Sequence, residues 1–275
     1  MKSKDSTIYQ ILLNTIIIIL LFTLIYPLFM AVWCSFKSEL GFMYTRWYPT
    51  IPLRIGNYST VFPKIWRYIV NTIFVAVVGT TGMLLISSAS AYTFARLKFP
   101  GKEFIFMSFM ALMMVPGVLT LIPNYMLYKS FGLLDSYWAL ILPSFIAPVG
   151  SVFLLRSFFR SIPEEIFESA RMDGAKEFTV FLKICLPLSV PILATLCIMS
   201  VNGTWNSYFW PMITIRNNDL LTISAGLITR FQSEYGTNYP LSFSGYMLAS
   251  IPLLLIFIFA NQYYIEGITS AAIKI

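Results

Sequence analysis

The chain has 275 residues, 57% of them apolar and only 11% charged, with a mean hydropathy of +0.74, whereas a soluble domain carries about 25% charge. The apolar excess falls in runs of about 20 residues, the span of a bilayer core, so an ordinary soluble domain is excluded and an all-α polytopic membrane protein is predicted. The net charge of +7 is scattered over loops, which argues against nucleic acid, and with no histidine and only the isolated Cys34, Cys185 and Cys197, neither a zinc cluster nor a disulfide framework can be assembled.

Six runs free of Asp, Glu, Lys and Arg occur, at 12–33, 69–95, 104–127, 137–155, 188–213 and 244–265, and predict six transmembrane helices in one translocation domain covering 1–275. Lys2 and Lys4 before the first run resemble a signal peptide, but the run is too long and no A-x-A site follows. Bulky Trp33 before Cys34 argues against a lipidated cysteine. With both termini cytoplasmic, eleven of the nineteen basic residues fall on the inner side. Five of the other eight, Lys37, Arg46, Arg54, Lys64 and Arg67, sit in the long first loop and weigh against that orientation.

Pro116, Pro123, Pro143, Pro148, Pro191, Pro211 and Pro252 interrupt the runs and predict kinked helices around a cavity. Ser87, Ser88, Ala89, Ser90 and Ala91 suit close helix contact. The runs hold neutral polar groups, Asn71, Asn124, Asn202, Thr204, Asn206 and Gln262, with Trp205, Tyr208 and Trp210 near the later ones. Amides and aromatic faces suit a hydroxyl-rich neutral solute. The same residues also suit helix bridging and an interfacial aromatic belt.

Residues 156–187 hold ten of the 31 charged side chains. Ser161-Ile162-Pro163-Glu164 reads as a capping box opening a helix, with Ile166, Phe167 and Ala170 on one face and Glu164, Glu168 and Arg171 on another. Gly174 is the expected stop, and a second short helix is expected from about Lys176 to Lys183. Phe167, Phe178 and Phe181 exposed together would form a docking surface for a cytoplasmic partner rather than a solvated loop.

The stretch Glu168-Ser169-Ala170-Arg171-Met172-Asp173-Gly174-Ala175, followed by Phe181-Leu182-Lys183-Ile184-Cys185-Leu186-Pro187, resembles the EAA loop of permease subunits in binding-protein-dependent ABC importers. Ala91–Gly101, Gly132-Leu133-Leu134-Asp135, Gly203-Thr204-Trp205-Asn206 with Trp210-Pro211, and Gln262–Gly267 resemble the carbohydrate branch, of the maltose-system second-permease type. Two departures stand out. Ser169 replaces the usual second alanine of the loop, and the tail Ala271–Ile275 lacks the glycine that often ends such chains.

The resemblance implies a subunit that moves a sugar or oligosaccharide across the cytoplasmic membrane. Its implied partners are a second, similar permease chain, two cytoplasmic ATPase subunits holding ATP and Mg2+, an extracytoplasmic solute-binding protein and membrane lipid. The chain itself has no G-x-x-x-x-G-K-[ST] loop, so it would bind no cofactor by that route and would not be an enzyme. In the implied coupling loop, Phe167, Ala170 and Gly174 are the knob and bend, Glu168, Arg171 and Asp173 fix orientation, and Ala175 completes the motif. Asn202, Trp205, Asn206 and Tyr208 are candidate solute contacts. Residues 216–243, with the polar run Gln232–Asn238, are either a contact loop for the binding protein or an ordinary surface loop. Of three rivals, an ion-coupled carrier would need charged groups at membrane depth, which the runs lack, and a membrane enzyme would need a catalytic set, which is not visible; only an ABC permease for a non-sugar solute stays open.

Overall fold

A computed structural model of the chain describes residues 4–146, 148–231 and 238–272, and all regular structure among these residues is helical. The first two predicted runs lie in α1 (Lys4–Ser35) and the 41-residue α3 (Gly56–Arg96), with α2 (Glu39–Thr45) between them. The third is broken into α4 (Lys102–Ala111), a 3-10 turn and α5 (Gly117–Ser130), which bend by 98°. The fourth comprises α6 (Tyr137–Ile146) and α7 (Val149–Ser161). Next come α8 (Glu164–Met172), α9 (Glu177–Val180), a π-helical stretch Phe181–Cys185 and α10 (Leu186–Leu188). These lead at a 76° bend into α11 (Val190–Asn206), followed by α12 (Phe209–Thr214), α13 (Ile223–Gly226) and α14 (Tyr239–Ala272).

The kinks expected from the prolines are sharp breaks in two of the runs, a 98° bend within 104–127 and a 76° bend at the start of 188–213. Four described segments have the length and hydropathy of a membrane crossing, and six do if each bent pair counts as one. The breaks have local causes. Val115 is extended, with φ −77° and ψ 116°, because the ring of Pro116 excludes the helical conformation at the preceding residue. Upstream of Pro187, the Leu186 N–H reaches back to the Phe181 carbonyl, a five-residue π turn. That widening relieves the pressure a proline ring puts on the carbonyl four residues earlier.

The chain forms two compact units, Met1–Trp66 with Leu227–Ile251, and Arg67–Gly226 with Pro252–Ile275. Within the described part of the first, α1 is apolar all round and its most apolar stretch buries nothing, as befits a helix facing lipid. Past its end, Lys37 is 3% exposed. Its Nζ donates to the carbonyls of Thr45 and Tyr48, the latter at 2.6 Å, and to Thr45 Oγ1 at 3.0 Å. Burial pulls its pKa down, and the three acceptors compensate the desolvated ammonium. One of the five basic residues that weighed against the predicted orientation is thus an internal cross-link. Asn57 Nδ2 donates to the carbonyls of Ser35 and Lys37, and Ser244 Oγ donates to Ser35 at 2.8 Å.

In the second unit, a core of Ala91 and Tyr92 from α3, Phe106 from α4, Leu155 and Phe159 from α7, and Phe167 and Ala170 from α8 is closed by Cys185, Ile192 and Leu196. Ser87, Ser88 and Ala91 are buried, in keeping with the expected close packing. Cys34 and Cys185 are buried thiols and act as small apolar groups. Gly226 packs against the buried ring of Tyr68, where an added Cβ would lie 2.5 Å from the ring. Gly226→Ala should destabilise this unit by about 1–3 kcal/mol through overpacking. Gly203→Ala, which meets nothing within 4 Å, should not. Thermal unfolding of the two variants in detergent checks the contrast.

Candidate functional site

The elbow predicted at Gly174 forms, and its end is a complete Schellman motif. Gly174 takes φ +83°, its N–H bonds the Arg171 carbonyl and the Ala175 N–H bonds the Ala170 carbonyl, both at 3.0 Å. The start of α8 differs from the expected capping box. Ser161 is the last residue of α7 and its Oγ donates to the Phe158 carbonyl at 2.8 Å, while Pro163 precedes α8 without a side-chain cap. The second helix starts at Glu177, and the chain does not stop at Lys183 but continues through the π turn to Leu188.

The expected knob is also corrected. Phe167 is wholly buried, with the Arg96 guanidinium 4.0 Å over its ring. Phe181 packs on Tyr92 at 5.1 Å between centroids. Ala170 is buried and Ile166 is 39% exposed, so these do not share one outward face. The sequence signal was sound about which side of α8 is apolar. It could not say that this side lies on α3 and α7 instead of projecting outward. The most exposed apolar side chains at the elbow are Met172, at 88%, and Phe178, at 71%.

Arg171, expected to orient a partner, bonds internally: Nη1 to Glu164 at 3.0 Å and Nε to Glu177 at 2.8 Å. Burial works to raise the Glu164 carboxyl, but the Arg171 hydrogen bond and the Arg96 charge outweigh it and hold it below the usual carboxylate range. The hydrogen bonds to Glu177 and Glu164 in turn push Arg171 upward, so it stays charged. Glu168 and Asp173 are exposed beside Met172 and Gly174.

The four candidate solute contacts do not converge. Asn202 and Asn206, one turn apart, lie exposed on α11 with Asn206 Nδ2 donating to Asn202 Oδ1 at 2.8 Å. Tyr208 is half-exposed beyond the helix end, and Trp205 is buried on another side, its carbonyl accepting from Ser224 Oγ at 2.6 Å. A cavity of about 350 Å³ instead opens among Ser144, Ser200, Thr204, Ser207 and Thr222, with Val75, Leu140 and Trp210 as apolar walls. It is uncharged and within the usual size range of small-molecule sites. Its hydroxyls are spread over three separate stretches of chain, so no local motif announces it. Asn71 is a helix bridge, with Nδ2 donating to the carbonyls of Asp219 and Leu221 and Oδ1 accepting from Tyr137.

Trp210 Nε1 donates to the Ala139 carbonyl at 2.8 Å, the acceptor that Pro143, four residues on, cannot reach for lack of an N–H. The first part of the proposed contact loop is pinned. Asp135 Oδ1 accepts the N–H groups of Arg216 and Asn217, and Thr72 Oγ1 accepts that of Ile223. Gln232–Thr237, the tail residues Ile273–Ile275 and the side chains of Gln262–Gly267 lie outside the described residues.

Residues 83–269 match the family described as binding-protein-dependent transport system inner membrane component, and the chain belongs to that family. It is a permease subunit of an ABC transport system, a membrane component of the transporter. Over its whole length it is 31% identical to the arabinooligosaccharides transport system permease protein of Halalkalibacterium halodurans, covering all of both chains. It is 30% identical to the protein of the same name from Bacillus subtilis, over 99% of this chain and 98% of that one. Its fold matches a crystal structure of a bacterial ABC transporter involved in import of the acidic polysaccharide alginate, with a TM-score of 0.85 at 23% identity over 96% of this chain and 99% of that one.

Trp210→Phe should destabilise the fold by about 1–2 kcal/mol, because it orphans the Ala139 carbonyl. Adding Pro143→Ala, which restores an N–H donor in α6, should recover most of the loss. Unfolding midpoints of the single and double variants measure both.

Proposed function

We propose that this permease imports a sugar or oligosaccharide with energy supplied by two partner ATPase subunits, which hold the ATP and Mg2+, and that it pairs with a second, similar permease chain. The solute arrives on an extracytoplasmic binding protein, both termini lie in the cytoplasm, and the elbow around Gly174 docks on the ATPase. The observation that carries this reading is the elbow itself: a rigidly capped turn presenting Met172 and Phe178, beside the charges of Glu168 and Asp173, at the tip of an internally braced helix pair. Exposed apolar side chains in a charged setting mark an interaction surface.

Phe167, Arg171 and Ala175 support that surface from within, and Phe167 and Ala170 hold α8 to the core. The sugar cargo is supported by the whole-length relatives that carry arabinooligosaccharides in their names, and by the uncharged hydroxyl cavity. Hydroxyl pairs supply donors and acceptors to a neutral polyol without desolvating charge. Asn202 and Asn206, bonded to each other on the exposed side of α11, and exposed Tyr208 past its end are suited to the solute path. An ion-coupled carrier finds no support, because the predicted runs hold no ionisable residue of the kind that marks an ion pathway.

Met172→Asp with Phe178→Asp should reduce co-purification of the ATPase at least tenfold while leaving the melting temperature of the permease unchanged. Equal ATPase capture by that variant would refute the docking surface. Phe167→Ala should behave differently, costing about 3–5 kcal/mol of fold stability. Uptake assays on the reconstituted complex with a panel of saccharides test the cargo; transport of a non-sugar solute alone would overturn it.

A further inference from the structure

The last turn and a half of α3 holds both arms of the elbow. Tyr92 and Arg96 stand four residues apart, hence on one face of the helix. Tyr92 Oη donates to Glu177 Oε2 at 2.6 Å, gripping the arm after Gly174. Arg96 grips the arm before it: its guanidinium covers the Phe167 ring, ion-pairs with Glu164 and donates to the carbonyls of Phe159 and, at 2.5 Å, Ile162. Arg171 joins the two arms to each other through Glu164 and Glu177. The Arg96 side chain is 6% exposed, so these contacts act in a low-dielectric setting where breaking one leaves a buried charge short of a partner.

We propose that Tyr92 and Arg96 are positioning residues of the transport cycle, clamping the elbow to α3 so that a displacement of the elbow moves α3 as one body. This rests on the docking role of the elbow proposed above. A single contact to one arm would let the elbow hinge at its glycine. Contacts to both arms, tied across by Arg171, remove that freedom. α3 is the longest helix of this part of the chain, and Gly79 and Gly82 on it receive Ser144 and Phe145 of α6 closely, an added Cβ at Gly82 lying 2.0 Å from the Phe145 ring. A movement of α3 therefore reaches α6, which walls the cavity through Leu140, Pro143 and Ser144.

The test uses the full complex in proteoliposomes, reading ATP hydrolysis and uptake of an arabinooligosaccharide separately. Tyr92→Phe removes one donor, and Arg96→Lys keeps the charge but loses the fork that serves several acceptors at once. Together they should lower solute imported per ATP hydrolysed about tenfold, with hydrolysis and ATPase capture within twofold of the unaltered complex. An unchanged ratio overturns the clamp. In a second variant, Tyr92→Cys with Glu177→Cys, a short thiol-reactive linker should restore the ratio to within twofold of the unaltered complex, and the same reagent on the unaltered chain serves as control. Loss of uptake on linking, or no recovery, overturns the clamp. If the unaltered complex fails to capture an ATPase or to import the saccharide, it is the docking or cargo reading that fails, a result the linked variant does not mimic.

Discussion

A guanidinium that enters the interior of a membrane protein near the helix ends must find acceptors on every side, because neither lipid nor a distant water shell will supply them. Arg96 meets most of that demand by collecting the carbonyl groups at the end of α7, the Glu164 carboxylate at the head of α8 and the face of Phe167, while its buried Nε is left without a hydrogen-bond partner. Carbonyls at a helix C-terminus carry partial negative charge and suit a cation, and the aromatic face adds a further attractive surface. Two elements, α7 and α8, are thereby fixed relative to α3 by one side chain. Arg156 repeats the pattern nearby, 6% exposed, with its guanidinium 3.6 Å over the Phe106 ring and bonded to both oxygens of Glu103. The charged residues of the 156–187 segment thus do two jobs. Arg156 and Arg160, bonded to Glu103, and Arg171, bonded to Glu164 and Glu177, tie helices together, and Glu168 and Asp173 remain at the surface of the elbow.

Proline has the complementary role. Each proline in an apolar helix leaves a carbonyl without its intrahelical donor, and at membrane depth that carbonyl needs a replacement. The chain answers in different ways. At Pro143 the indole of Trp210 supplies the donor. At Pro187 a π turn shifts the register upstream. At Pro116 the helix ends and restarts at a 98° bend. The broken helices leave room between α6, α11 and the chain before α13, and the hydroxyl-lined cavity occupies it. Thr222 Oγ1 is buried there without a hydrogen-bond partner, so part of the wall's donor capacity is uncommitted.

The elbow shows how far residue patterns reach. Gly174 as a helix stop is legible because few residues other than glycine tolerate a φ of +83°, and the Schellman bonds follow from that single choice. The capping box at Ser161 is a plausible pattern that fails because α7 extends through Ser161 and Glu164 has stronger partners in Arg96 and Arg171. Phe167 is the more instructive case. An amphipathic helix announces its apolar side but not what covers it, and three phenylalanines in a charged segment look like a surface until one is seen under an arginine from 71 positions away. The candidate solute contacts point in different directions for a related reason. Proximity in sequence put Trp205 with Asn202 and Asn206, while the helix turn sends the indole into the protein and the amides outward.

The sequence by itself determined that the chain lives in a membrane, where its apolar runs lie, where prolines must interrupt them and where the elbow turns, and its motifs carried the family. These are local properties: hydropathy over some twenty residues, the fixed φ of proline, the freedom of glycine. Only the tertiary structure decided which charges are internal, which aromatic faces are covered and that five hydroxyls from separate stretches of chain enclose a cavity. Burial and hydrogen-bond partnership depend on contacts between residues tens to more than a hundred positions apart, and no local pattern encodes the distance at which two such residues meet.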